Sequence, residues 1–89
     1  MKALERKASL MVYCDYKANT LDSATYAYGG TPEDISGEIV FHFHDRTFEI
    51  VKPPEKTKVW VKYIRSLYHK EMDNFKKGVF REKISYESW

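Results

Sequence analysis

The sequence predicts an α+β domain of two layers: a four-stranded antiparallel sheet made of two hairpins, with one long amphipathic helix packed on its aromatic face. Two patterns and one boundary predict it. Apolar residues alternate with polar ones through the first half of the chain, the spacing changes to that of a helix in the second half, and Pro53-Pro54 separates the two regimes.

The first strand is expected over residues 8–17. There Ala8, Leu10, Val12, Cys14 and Tyr16 alternate with Ser9, Met11, Tyr13 and Asp15, which is the period of a strand with one buried face. Asn19 to Asp22 supply turn-forming residues, after which Ala24, Tyr26 and Tyr28 share one face of a second strand over 23–29. That strand stops at Gly29-Gly30, and the two strands are expected to form a hairpin. Thr31-Pro32-Glu33-Asp34 offers a cap, a first-turn proline and two acids, so one helical turn is expected as a connector before Gly37.

The second hairpin is expected over 37–44 and 47–52. Ile39, Phe41 and Phe43 fall on one face, and a two-residue turn at Asp45-Arg46 sets Phe43 opposite Phe48 and Phe41 opposite Ile50. The same register sends Val40, His42 and His44 to the other face, with His42 beside Glu49 and His44 beside Thr47. Arginine accepts the positive φ of such a turn poorly, so a slip of register stays open.

Proline cannot donate to a ladder and restricts the residue before it, so Pro53-Pro54 ends the sheet. Beyond it Trp60, Ile64, Leu67 and Phe75 recur at helical spacing, with Val61, Tyr68 and Met72 close on the wheel. The helix is expected over 54–77, starting at Pro54 or capped by Thr57, and stopping at Gly78 with Lys76 and Lys77 in its last turn. Residues 79–89 read two ways. The favoured reading is a short helix or irregular segment whose Phe80, Ile84 and Trp89 pack back on the sheet; the alternative is a fifth strand, since Phe80, Glu82, Ile84 and Tyr86 alternate.

With 89 residues, 43% hydrophobic and 31% charged, the chain has the composition of one small globular domain. A domain of this size hides little more than roughly 60% of its unfolded surface, so modest stability is expected. Its single cysteine, Cys14, cannot close an intramolecular disulfide, which favours a reducing compartment. The apolar run Leu10 to Cys14 is shorter than the roughly 7 residues of a signal-peptide core, and no stretch approaches the roughly 18 of a membrane span. A soluble, cytoplasmic protein without membrane contact or small-molecule cofactor is expected.

Charge is uneven along the chain. Between Asp15 and Glu49 seven acids stand against Lys17 and Arg46, whereas between Lys52 and Lys83 ten bases stand against four acids. Attraction between two parts of one fold accounts for this asymmetry; an anionic partner is the functional alternative.

Each chemical constellation has a plainer structural account. His42 and His44 with His69 or Glu49 offer the ligand types zinc accepts, but His-x-His is an unspecific pattern, and the helix belongs on the face these histidines avoid; no metal site is expected. Phe41, Phe43, Phe48, Tyr26 and Tyr28 could stack bases, yet a chain this small needs them for its core. Cys14 sits in the buried set of the first strand, where a thiol acts as a small hydrophobe. Gly29-Gly30 lacks the lysine of a phosphate-binding loop. No catalytic residue is assigned, and no enzyme activity is expected.

What remains is surface. Seven tyrosines and two tryptophans are more than this core can seal. The leading expectation is a non-catalytic binding or regulatory protein that meets a protein partner, or a second copy of itself, through the open sheet face, at Met11, Tyr13, Val40, His42, His44, Glu49 and Val51. The alternative is a nucleic-acid-binding accessory protein that contacts phosphates through Lys58, Lys62, Arg65, Lys70, Lys76, Lys77, Arg81 and Lys83.

Overall fold

The computed structural model describes residues 7–9 and 11–87. In chain order the elements are β1 (Lys7–Ser9), β2 (Met11–Asn19), β3 (Ser23–Gly29), β4 (Gly37–His42), β5 (Thr47–Lys52), β6 (Thr57–Val59), α1 (Val61–Lys76) and β7 (Lys83–Glu87). The architecture is α+β, with one helix on an antiparallel sheet. That sheet has five strands in the order β5-β4-β3-β2-β7, while β1 and β6 form a separate parallel pair.

The fifth strand corrects the expected four, and it corrects the helical reading favoured for residues 79–89. β2 carries β3 on one side from Tyr13 onward, and its residues Met11 to Asp15 pair with Lys83 to Glu87 on the other. Left without β7, that second side would expose a row of backbone groups beside the core. Ile84 is buried on the helix side and Tyr86 packs partly against the core, whereas Lys83 and Glu87 face out. Trp89 lies outside the described residues.

The β4–β5 hairpin pairs Phe41 with Phe48, Val40 with Glu49 and His42 with Thr47. The register is thus displaced by two residues from the one the sequence suggests, and a displacement of two leaves every side chain on its expected face. The loop has four residues, Phe43 to Arg46, and Arg46 alone has positive φ, at 59°. A two-residue turn would demand that conformation twice. The loop is held by Asp45, whose carboxylate accepts hydrogen bonds from the backbone N–H (3.3 Å) and hydroxyl (2.8 Å) of Thr47. Phe43 leaves the ladder, and its N–H donates instead to the carbonyl of Asp22 at 2.8 Å.

Residues 57–59 form β6, so α1 starts at Val61 instead of near the prolines. Asp34 explains the delay. Its buried carboxylate accepts from the Thr57 hydroxyl at 2.7 Å, from the Lys56 N–H at 3.0 Å and from the Ser36 hydroxyl at 2.8 Å. The Thr57 oxygen in turn accepts from the Gly30 N–H at 2.9 Å. Thr57 is therefore committed to the connector after β3 and cannot cap a helix, and α1 begins behind Trp60 without a side-chain cap. The connector passes so close to β3 that a Cβ at Gly29 would overlap the Asp34 carbonyl oxygen.

The core lies between sheet and helix. Val12, Cys14, Tyr26, Ile39, Phe41 and Ile84 meet Ile64, Leu67, Tyr68 and Phe75 of α1. Phe75 is the hub: its ring centroid lies between 5.3 and 6.2 Å from those of Tyr26, Phe41, Phe43, Tyr68 and Phe80. Burying a phenylalanine is worth about 1.5–3 kcal/mol before packing is counted. One charge enters this layer. Glu71 is 1% exposed, and its carboxylate is met by the Arg81 guanidinium and by the Asn74 amide at 3.1 Å. The Tyr26 hydroxyl donates to the Arg81 carbonyl at 3.0 Å, which ties the segment before β7 to the centre of the sheet.

Candidate functional site

The helix sits unevenly on the sheet. It packs closest against β7 and β2 and reaches β4 through large side chains, the Tyr68 hydroxyl donating to the His42 carbonyl at 2.6 Å. β5, at the far edge, is left with little above it. Consequently four of the six exposed large hydrophobics among the described residues, Ile50, Val51, Trp60 and Val61, belong to β5 and to the start of α1.

Between β5 and α1 runs a groove of about 410 Å³. Phe48, Val61 and Met72 give it an apolar floor, and Arg46, Arg65 and His69 stand around it. Arg65 and His69 are one helical turn apart and so share a face. Arg46 is brought in by the β4–β5 loop, whose left-handed residue it is. Among the described residues no carboxylate lines the groove and neither arginine has an ion-pair partner. Burial pushes the Tyr68 phenol up, Asp45 adds to the shift and Arg46 opposes it. A second hollow of about 260 Å³, lined by Ile50, Pro53 and Val59, continues the apolar surface past the other end of β5.

The open sheet face has a different character. One row across it reads Lys83, Asp15, Ala27, Glu38, Lys52. Ion pairs cross it between Lys83 and Asp15 (3.3 Å) and between Lys17 and Glu38 (3.0 Å), and the His42 ring lies 3.5 Å from the Glu49 carboxylate. Met11 and Tyr13 keep to one corner, where the Tyr13 hydroxyl donates to the Met11 sulfur at 2.8 Å. Val40 lies near the middle, and Val51 is the extra residue of a bulge on β5, between Ile50 opposite Ile39 and Lys52 opposite Glu38. His44 sits in the loop. The apolar members of the expected contact face are therefore dispersed, while His42, Glu49 and Val51 gather at its β5 margin. Among the described residues no group of three histidines, cysteines or carboxylates comes together as a metal site.

The basic residues are dispersed too. Lys58 lies 4.9 Å from the centre of the Trp60 ring and Lys62 5.4 Å from that of Tyr63. Lys70 donates to the Ser85 carbonyl at 3.1 Å, Arg81 is held by Glu71, and Lys83 by Asp15. Lys76 and Lys77 are exposed at the far end of α1, with Lys76 roughly 21 Å along the axis from Lys62. Arg65 alone among these eight lines the groove. Burial, reinforced by Asp15 and Glu71, pushes the Cys14 thiol far above its ordinary value, so it stays protonated and unreactive at neutral pH.

Arg46, His69 and Phe48 were not legible as one site. Arg46 reads as a poor turn residue, His69 as a zinc-type ligand weighed with His42 and His44, and Phe48 as core. Only the off-centre seat of the helix brings them together. No helix of the described residues is long and apolar enough to cross a membrane. No protein-family model, curated protein or solved structure matches the chain.

Proposed function

We propose that this chain is a non-catalytic binding protein that acts through protein contacts at the β5 side of its sheet, in the cytoplasm. One observation carries the reading: among the described residues the outer edge of β5 is unpaired, and it runs beside exposed apolar residues and an apolar groove. Edge strands of this kind accept further strands unless something blocks them, and contiguous apolar surface marks a contact site. His42, Glu49 and Val51 would flank such a contact from the open face, while Met11, Tyr13 and Val40 lie further from it.

Nucleic-acid binding is the second reading, supported by the basic run from Lys52 to Lys83. It is the weaker one, because five of its eight residues already face an acid, a carbonyl or a ring within the chain.

The test compares wild-type protein with an Ile50→Asp, Val61→Asp variant and with a Met11→Ser, Tyr13→Ser control, each used as bait and each paired with an amide proton–nitrogen spectrum. A partner retained by wild type and control but lost by the first variant, with both spectra dispersed, supports the reading. A partner lost only by the control moves the contact to the opposite corner of the open face. Amide shifts of Lys58 to Lys83 with single-stranded DNA that fade as salt rises would establish the phosphate surface instead.

A further inference from the structure

The partner's chemistry is written in the groove, on the premise that β5 is the contact edge. We infer that β5 accepts an extended segment of a partner protein as an added strand, and that this segment carries an acidic residue two positions from an apolar one.

The strand itself sets the geometry. Among the described residues β5 pairs on one side only, with β4. Its two halves differ. The bulge at Val51 and the following Pro53 disrupt the outer edge near Lys52, as bulges and prolines do where pairing is to be prevented. Thr47 to Ile50 carry no such interruption, and this is the half beside the groove. An added strand would run about 4.8 Å from β5, with alternate side chains turned to the helix side. Those side chains would lie next to Phe48 and Ile50 and enter the 410 Å³ groove. One apolar side chain can fill its floor against Val61 and Met72. The side chain two positions away points to the same side, towards Arg46 and Arg65.

Charge selects what that second side chain is. Two arginines and a histidine beside one of them surround the groove, and among the described residues neither arginine has an acidic partner and no carboxylate lines the groove. A guanidinium next to apolar surface binds carboxylate through paired, directional hydrogen bonds that gain strength as water is excluded. Phosphate would suit the arginines as well, but single-stranded bases stack on exposed ring faces. Of the rings lining the groove, Tyr68 and Phe48 both lean on Phe41, at 4.9 Å and 6.4 Å. The backbone edge and the aliphatic floor favour a peptide.

A displayed library of random peptides panned on the wild-type chain reads the preference directly, and one enriched peptide is then mapped by amide shifts. The inference expects enrichment of Asp or Glu two positions from Leu, Ile, Val or Met, with shifts at residues 46–50 and around Val61, Arg65 and His69. Arg46→Glu with Arg65→Glu should weaken the mapped peptide by roughly tenfold or more, while Lys76→Glu leaves it unchanged. Neutral or basic apolar peptides mapping to β5 would overturn the acidic preference and leave the β5 contact standing. Peptides that map elsewhere, or a library without enrichment, would overturn the inference, and the bait comparison would then decide the broader reading by itself. A concentration-dependent dimer abolished by Ile50→Asp would make the occupant a second copy and overturn the inference. Competition of oligo-deoxythymidine for the same amides would overturn it together with the protein-contact reading.

Discussion

The two edges of the sheet are built to opposite ends. At the β7 edge the helix lies close, Lys70 donates to the Ser85 carbonyl, Glu71 and Arg81 clamp the preceding segment, and Ile84 is buried. At the β5 edge Ile50 is 38% and Val51 53% exposed, and two arginines stand without acidic partners among the described residues. The cause is partly one of size. A helix about 10–12 Å across, seated over β7 and β2, does not roof five strands spaced about 4.8 Å apart. In so small a domain a single helix stabilises one side and leaves the other available, so stability and recognition separate within one sheet.

That separation can be broken most forcefully at the hub. Phe75→Ala removes the ring that touches five others and should cost about 3–5 kcal/mol in urea unfolding, whereas Val61→Ala at the open side should stay within about 0.5 kcal/mol. Equal losses would end the distinction. Arg81→Ala should cost about 3 kcal/mol by the same measurement, because it leaves the Glu71 carboxylate buried with the Asn74 amide as its remaining side-chain donor.

Asp34 sharpens the comparison at a lower magnitude. Burial works against its charged form, but hydrogen bonds from Thr57, Ser36 and the backbone at 56 and 57 outweigh burial and hold its pKa below the ordinary 3.8. Its folded value is the lower one, so its contribution is complete above the ordinary value and is lost as pH falls through the folded value. Asp34→Ala should cost about 1–3 kcal/mol at neutral pH, and unfolding midpoints measured against pH should converge with wild type in acid. A gap that persists undiminished below pH 3.8 would contradict the ionic account.

The smallest effect on stability is expected at Arg46. Its positive φ is a strain that glycine would relieve, and glycine would add freedom to the unfolded chain, so Arg46→Gly should change stability by no more than about 0.5 kcal/mol. Peptide affinity should nevertheless fall. Urea melts and a peptide titration on the same variant give both results.

The faces of the strands were legible in the sequence because alternation survives a displacement of two residues, as the β4–β5 register demonstrates. Loop length was not legible, since it depends on Asp45 gripping Thr47 and on Arg46 accepting a left-handed conformation. The helix start was hidden by a contact from far along the chain, the Asp34 carboxylate taking Thr57. β7 was ambiguous because Phe80 and Ile84 suit a helical turn as well as a strand, and only the free side of β2 decides between them. The candidate site was the least legible part. Its charged residues come from a loop and from one helix turn, and no local spacing records where the helix comes to rest.

Native-state amide hydrogen exchange tests the central claim most directly. Amides of β2 and of α1 around Leu67 should exchange at or near the rate set by global unfolding, while the outward amides of Thr47 to Ile50 exchange with little protection. Uniform protection along β5 equal to that of β2 would mean that this edge is covered in solution, and the separation of stability from recognition would fall.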